Sequence, residues 1–406
     1  MLSIPRDQLI SLAGVYGLPL FVYDAEVISR QIDLLRTSFG PFVPEIHYAS
    51  KALTTTGILR HVYEEGCGID TVSPGEMQIA LKAGIPADKI SFTPSGVLPA
   101  EYEFAITHGI HIHVDQVHML EWLDQYYPGI KVTLRFNPGV QAGGHHKVQV
   151  GSAGSKFGIP ASEVERVKAL TDQLSIRIAG VHMHLGSDIS ESESFDQAYE
   201  YLLTVAMLWK DTIEHVDLGG GFKVPYHPGD DAIDMNHFGM RVGPRFKKFC
   251  ASLGRDIQLV VEPGKYLVSQ AGYLLMEVSG VREAGATDMV FVQSGFNHFL
   301  RPMNYDAYHH ILNISHPEGK TNVYDIVGYL CETDTFALGR ILNEVRQGDI
   351  LCLMNAGAYG YMMSSNYNSR LRPAEVLWKN GNGQLIRRAE TIDDLMKTDI
   401  RFQSGS

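Results

Sequence analysis

The strongest constraint in this sequence is a rhythm. Between residues 46 and 261, eight short apolar segments recur: 46–49, 68–72, 90–93, 110–114, 132–136, 178–184, 215–218 and 259–261. Between most of them lie stretches with apolar residues three or four apart, over 54–65, 74–83, 99–107, 117–127, 161–174, 195–210 and 236–253. Short strands separated by helices predict parallel pairing through crossover connections. Eight such repeats predict a closed (β/α)8, TIM-like barrel. An open doubly wound sheet is the other arrangement of this pattern. It favours a GxGxxG turn after the first strand, and the sequence has none there.

The flanks follow different rules. Residues 17–23 (GLPLFVY) read as a strand surplus to the eight. Asp24 then caps an amphipathic helix to about residue 39, with Val27, Ile28, Ile32, Leu34 and Leu35 as its apolar positions. Beyond Gly264 the helical periodicity fades, and 266–281, 289–293, 322–327, 349–354 and 375–378 are β-like. The expected fold class is therefore α/β plus all-β. The barrel spans 25–264, and a β-barrel or β-sandwich domain spans 265–406 with residues 1–24 added to it. One connection stands out: 137–158 is long, rich in Gly and His, and lacks a helical pattern, which points to a functional loop. Residues 403–406 read as a frayed tail.

Composition narrows the class. A chain of 406 residues with 45% hydrophobic content can bury a large core. Its formal charge of -12 is spread without a basic block, which argues against nucleic acid and anionic membrane partners. No apolar run approaches the ~20 residues of a membrane span, and the first residues carry no signal pattern. Cys67, Cys250, Cys331 and Cys352 are far apart, with neither metal-ligand nor disulfide-framework spacing, so a cytoplasmic location is expected.

In a barrel of this kind, chemistry sits at the C-terminal ends of the strands. The first strand runs through His47-Tyr48-Ala49-Ser50 into Lys51, a position where a desolvated amine can form a Schiff base. An isolated lysine at a strand end is ordinarily just a surface group, so the other strand ends must decide. The second offers Asp70 and Ser73, and the fifth offers Arg135 and Asn137. The sixth offers His182 and His184, followed by Gly186-Ser187. The seventh ends in Gly219-Gly220-Gly221-Phe222, and the eighth in Glu262-Pro263-Gly264-Lys265. Three glycines alone mean a tight loop. After the seventh strand they suit a phosphate, because backbone N–H groups can close on it with no Cβ in the way. His182 and His184 share a strand face, but no further ligand has matching spacing, so no metal is expected. A flat imidazole at 184 suits a flat cofactor better. Glu262 alone would be a structural ion pair; beside Lys51, on the neighbouring strand of a closed barrel, it suits a ring nitrogen. An amine, a phosphate loop, an imidazole shelf and a carboxylate together meet the needs of pyridoxal 5'-phosphate.

The sequence resembles the barrel-type pyridoxal-phosphate decarboxylases, the ornithine and diaminopimelate decarboxylase superfamily. The resemblance rests on HYASKA, GIDTVSPGE, SKFGI, GVHMHLGSDI, DLGGGF, EPGK, FNHFLRPMNYDAYH, CETDTF and NAGAYGYMMSSNYNSRLRPAEVL, in that order along the chain. The last three are similar to the diaminopimelate branch. The resemblance implies that Lys51 forms the Schiff base, His184 stacks on the pyridine ring and Glu262 pairs with its nitrogen. It places Asp70 beside the cofactor, and Ser187, Gly219, Gly220, Gly221 and Tyr359 around the phosphate. Cys331, contributed by the second subunit of a homodimer with shared active sites, would donate a proton. Lys265, Arg301, Tyr305, Glu332 and Tyr359 would meet the substrate. Two positions depart from the common pattern: Lys265 stands where many relatives have Arg, and Thr333 stands where many have Ser. The implied activity is decarboxylation of meso-2,6-diaminopimelate to L-lysine, the last step of lysine biosynthesis. Two alternatives remain open here: a decarboxylase of another basic amino acid or carboxylated polyamine, and a non-catalytic cofactor-binding regulator. A racemase fits less well, since racemases of this architecture typically set an arginine against the ring nitrogen, where Glu262 stands.

Overall fold

The computed structural model describes residues 2–40, 42–140, 155–187, 193–283, 285 and 287–400. Most of the 137–158 connection and the 403–406 tail lie outside the described residues. The chain divides into two compact units. One comprises Val27–Pro225 and Gly229–Val268; the other comprises Met1–Glu26, Tyr226–Pro228 and Ser269–Ser406.

In the first unit, eight strands close a parallel barrel: Glu45–Ala49, Gly68–Thr71, Ile90–Phe92, His111–Val114, Lys131–Asn137, Arg177–Met183, His215–Asp217 and Gln258–Val261. Each pairs in parallel with the next, and the eighth pairs with the first. They are numbered below in chain order as barrel strands one to eight. The eightfold rhythm of the sequence is thus a TIM barrel. Its helices start where local chemistry allows. Ser73 caps the helix Pro74–Lys82 by accepting the Glu76 N–H at 3.2 Å, with proline at the first turn where no N–H is needed. Asp24 accepts the Glu26 N–H at 2.9 Å at the start of Ala25–Thr37.

Alternation along each strand sorts the barrel into two surfaces. One parity faces the helices and is apolar: Phe92, for example, meets Tyr102 of the helix Pro99–Thr107 edge-on at 5.6 Å. The other parity faces the axis and is polar. His111 of strand four reaches His215 of strand seven, ring centroids 5.5 Å apart, and His113 of strand four reaches His182 of strand six at 5.1 Å. Barrel interiors are commonly filled by Val, Ile and Leu. Here the axis holds a hydrogen-bonded polar floor instead. Thr133 Oγ1 lies 2.7 Å from His111 Nε2 and 2.8 Å from His215 Nε2. Gly180 makes this possible: a Cβ there would meet His215 Nε2 at 2.1 Å.

The second unit is built on a nine-stranded mixed sheet. Strand Leu20–Asp24 lies between Gly272–Arg282, antiparallel, and Ala374–Lys379, parallel. Several elements differ from expectation. Residues 266–281 are not one strand: Lys265–Val268 is a helical turn and the strand begins at Gly272. Arg6–Tyr16 forms a helix whose buried face is only Leu9, Leu12 and Ala13, too sparse a pattern to announce itself. Thr335–Asn343 and Asn382–Arg387 are additional strands. The former carries exposed Leu338 and Ile341, and the latter is largely polar, so neither shows a buried alternating face. In the barrel, 161–174 splits into the 3-10 turn Ala161–Glu163 and the helix Val164–Thr171.

Candidate active site

The C-terminal mouth of the barrel gathers the strand-end residues. Lys51 sits in the single 3-10 turn Ser50–Ala52 that follows strand one, half-buried. That turn is tied down on two sides. Ser50 Oγ donates to Glu76 Oε2 at 3.1 Å, and the same carboxylate oxygen accepts the Val72 N–H at 2.8 Å. The Ala49 N–H donates to the Pro263 carbonyl at 3.1 Å, joining the ends of strands one and eight. Lys51 is therefore held at the same rim as Glu262.

The seventh strand delivers the glycine turn. Gly219 has φ 67° and Gly221 φ 100°, both in the region that favours glycine. A Cβ on Gly219 would meet the Met183 carbonyl at 2.4 Å, and one on Gly220 would meet the Glu262 carbonyl at 2.0 Å. The turn thus packs backbone against backbone. Its Gly220 N–H donates to His184 Nδ1 at 3.2 Å. That bond leaves Nδ1 bare and fixes the neutral ring with its proton on Nε2. Burial acts the same way: together with Lys51 and Arg135 it holds the His184 pKa well below its ordinary value.

Three carboxylates share the interior: Asp70, Asp217 and Glu262, each 6% exposed or less. Burial pushes the Asp70 pKa up, and the Glu262 charge pushes it further. Asp217 is raised by burial and by Glu262, although it accepts the Gly219 N–H at 2.8 Å. Glu262 goes the other way. Burial opposes its charge, but His182, His113 and Lys51 outweigh burial and hold its carboxyl well below the usual range. His182 Nε2 lies 3.1 Å from Glu262 Oε2. The other oxygen, Glu262 Oε1, is buried and has no hydrogen-bond partner.

This geometry has known counterparts. Residues 25–269 match the family described as pyridoxal-dependent decarboxylase, pyridoxal binding domain. The diaminopimelate decarboxylase of Methanothermobacter thermautotrophicus is 38% identical, over 98% of this chain and 95% of that relative. A crystal structure of diaminopimelate decarboxylase superimposes with a TM-score of 0.89 at 34% identity, covering 97% of this chain and 96% of the other. The chain belongs to the diaminopimelate decarboxylase family of pyridoxal-dependent decarboxylases. A further family structure, the Helicobacter pylori enzyme complexed with L-lysine, gives a TM-score of 0.87 at 28% identity, over 96% of this chain and 98% of that one.

The mouth fits the family's cofactor on its own terms. Glu262 Oε1 is a buried acceptor awaiting a donor, which a protonated ring nitrogen is. The glycine turn leaves no room for a side chain, and His184 presents a neutral flat ring beside it. Ser187 follows strand six, partly buried, and Lys265 is buried at the start of Lys265–Val268.

The remaining sequence candidates of this decarboxylase family member lie in the second unit. Arg301 opens the short helix Arg301–Tyr305, donates its Nε–H to His309 Nε2 at 3.2 Å and stacks over Tyr226 at 5.1 Å. Its guanidinium also lies 6.0 Å from the Tyr305 ring. Cys331 is exposed, and its N–H donates to Asn368 Oδ1 at 3.2 Å. Glu332 accepts the Tyr367 hydroxyl at 2.9 Å. Tyr359 holds a φ of 56°, an uncommon backbone state for a tyrosine. The other three cysteines are buried, and burial pushes the Cys67 thiol up to about 12. Sequence reasoning passed over His113 and Asp217. Their signal was parity: each lies on the axis-facing side of a strand, two residues from His111 and from Gly219.

Proposed function

We propose that this chain decarboxylates meso-2,6-diaminopimelate to L-lysine and carbon dioxide with pyridoxal 5'-phosphate. The observation that carries the reading is the barrel mouth, where Lys51, a buried Glu262 and a neutral His184 meet a glycine turn. The bound cofactor supplies an electron sink for the pair left at Cα when the carboxylate departs. Lys51 would hold the cofactor at its aldehyde carbon. Glu262 keeps a proton on the ring nitrogen, and protonated Asp70 completes the wall beside it. His184 supports the ring face, while Ser187, the N–H groups of Gly219 to Gly221, and Tyr359 hold the phosphate. Cys331 of a second copy gives its thiol proton to Cα, which makes the working form a homodimer. Its exposure in the single chain supports this reading. Arg301 and Tyr305 suit the distal carboxylate of the substrate, Glu332 its ammonium, and Lys265 a further anionic oxygen. Among the described residues no helix is long and apolar enough to cross a membrane, and the four cysteines are free thiols, in keeping with a cytoplasmic enzyme.

The deciding experiment is release of carbon dioxide from a panel of amino acids in the presence of the cofactor. meso-Diaminopimelate should be the fastest substrate, and faster turnover of ornithine or arginine would overturn the assignment.

A further inference from the structure

Behind the mouth, His113, His182, Asp217 and Glu262 each place one ligand-type atom within 4.8 Å of the others, all four buried. Asp70 adds a third carboxyl group to the same interior. Three buried carboxylates cannot all be charged, because each charge costs desolvation and repels the next. Something must decide which one ionises. The imidazole closest to a carboxylate here is His182, with Nε2 3.1 Å from Glu262 Oε2; both of its ring nitrogens are buried, and neither meets the angle of a hydrogen bond. At that separation a neutral ring with its proton on Nε2 needs only a small rotation to donate to Glu262.

We propose that His182, backed by His113, is a positioning residue that makes Glu262 the ionised carboxylate of this set and leaves Asp217 protonated as a second donor to it. The inference deepens the proposed function and rests on it, since the charge on Glu262 matters because a ring nitrogen is to stay protonated there. The groups facing Glu262 come from every part of the barrel. They are Lys51 after strand one, Asp70 of strand two, His113 of strand four, His182 and His184 at the end of strand six, and Asp217 of strand seven, while Arg135 of strand five acts on His182 and His184. Burial lowers the His182 pKa and so keeps the ring neutral, while Glu262 acts to raise it. Asp217 is fixed by the Gly219 N–H on one oxygen, which leaves its other oxygen to carry a proton toward Glu262.

The test uses the full-length apoprotein with its glutamate carboxyl carbons labelled with carbon-13. The Glu262 resonance is assigned by its loss in Glu262→Gln. In the native protein it should be that of a carboxylate at about pH 7 and remain so well into the acid range. In His182→Phe, which keeps a ring in the space, its midpoint should rise by about one pH unit or more. In Asp217→Asn it should stay ionised, because the amide can still accept from Gly219 and donate to Glu262. With cofactor bound, the visible band should be constant with pH in the native protein and titrate in His182→Phe. A protonated Glu262 in the native apoprotein at about pH 7 overturns the proposal outright. An unchanged Glu262 midpoint in His182→Phe also overturns it. If His182→Phe does not fold, His182→Ser serves, and the native measurement decides by itself. The carbon-13 readout needs no substrate, so it separates failure of this inference from failure of the decarboxylase reading.

Discussion

Lys51 and Glu262 are 211 positions apart in the chain, yet the Ala49–Pro263 hydrogen bond sets their strands edge to edge. In the proposed reaction each depends on the other. An amine needs a partly desolvated site to act as a nucleophile, and a buried carboxylate needs cationic or donor neighbours to stay charged. Lys51→Ala should therefore abolish both turnover and the visible absorbance of bound cofactor; retained turnover would remove the lysine from the reaction. Cys331 makes a different prediction. Cys331→Ala should keep that absorbance while kcat falls by roughly 10² to 10⁴, the usual worth of a proton donor, and an unchanged kcat would assign the proton to another group. The residues with clear sequence signals were those at strand ends with distinctive chemistry, such as Lys51, Glu262 and the Gly219–Gly221 turn. Asp217 and His182 were harder to read. Their roles depend on which carboxylate is charged, a property of neighbours from six different strands.

At the level of elements, the eight strands and their helices were legible because apolar spacing records which face is covered. The polar axis was written in the same strands, in the alternation Ile110-His111-Ile112-His113-Val114, but alternation alone does not say that the polar side is enclosed. The outer strands of the second unit were illegible for the opposite reason: Asn382–Arg387 buries too little to leave a pattern. Strand six gives the sharpest test of the barrel floor. Gly180→Ala would push His215 off Thr133 and should cost about 1–3 kcal/mol, from strain plus a lost buried hydrogen bond. Combined with His215→Ala the penalty should be less than the sum of the two single changes, as measured by denaturant unfolding. Strict additivity would show that Gly180 does not make room for the imidazole.

At the level of the whole molecule, the enclosed imidazoles tie stability to pH. Burial lowers His111 to about 4, His215 to about 3, and His309 of the second unit to about 3. Unfolded, each takes up a proton near pH 6.5, so below that value the unfolded chain binds more protons than the folded one. Asp70 and Asp217 pull the other way because their pKa values are raised, but His113, His182, His184 and His298 are lowered as well, so stability should fall as pH drops from about 6.5 toward 4. A denaturation midpoint that is flat between about pH 7 and 5 would show these rings to be solvated. Assembly has its own test. Lys51→Ala, inactive alone, and Cys331→Ala, nearly so, should recover about a quarter of native activity when their subunits are exchanged, since half of the dimers then hold one intact site. No recovery would show that each site is built from one chain. The strand Leu20–Asp24 adds a consequence in time. Its two sheet neighbours are Gly272–Arg282 and Ala374–Lys379. On the ribosome, this strand waits for about 250 further residues before its first partner is made and about 350 before its second, on the order of tens of seconds. Through that interval its apolar run is open to chaperones and to other nascent chains, so the yield of this protein in a cell should depend on how fast the codons between these strands are read.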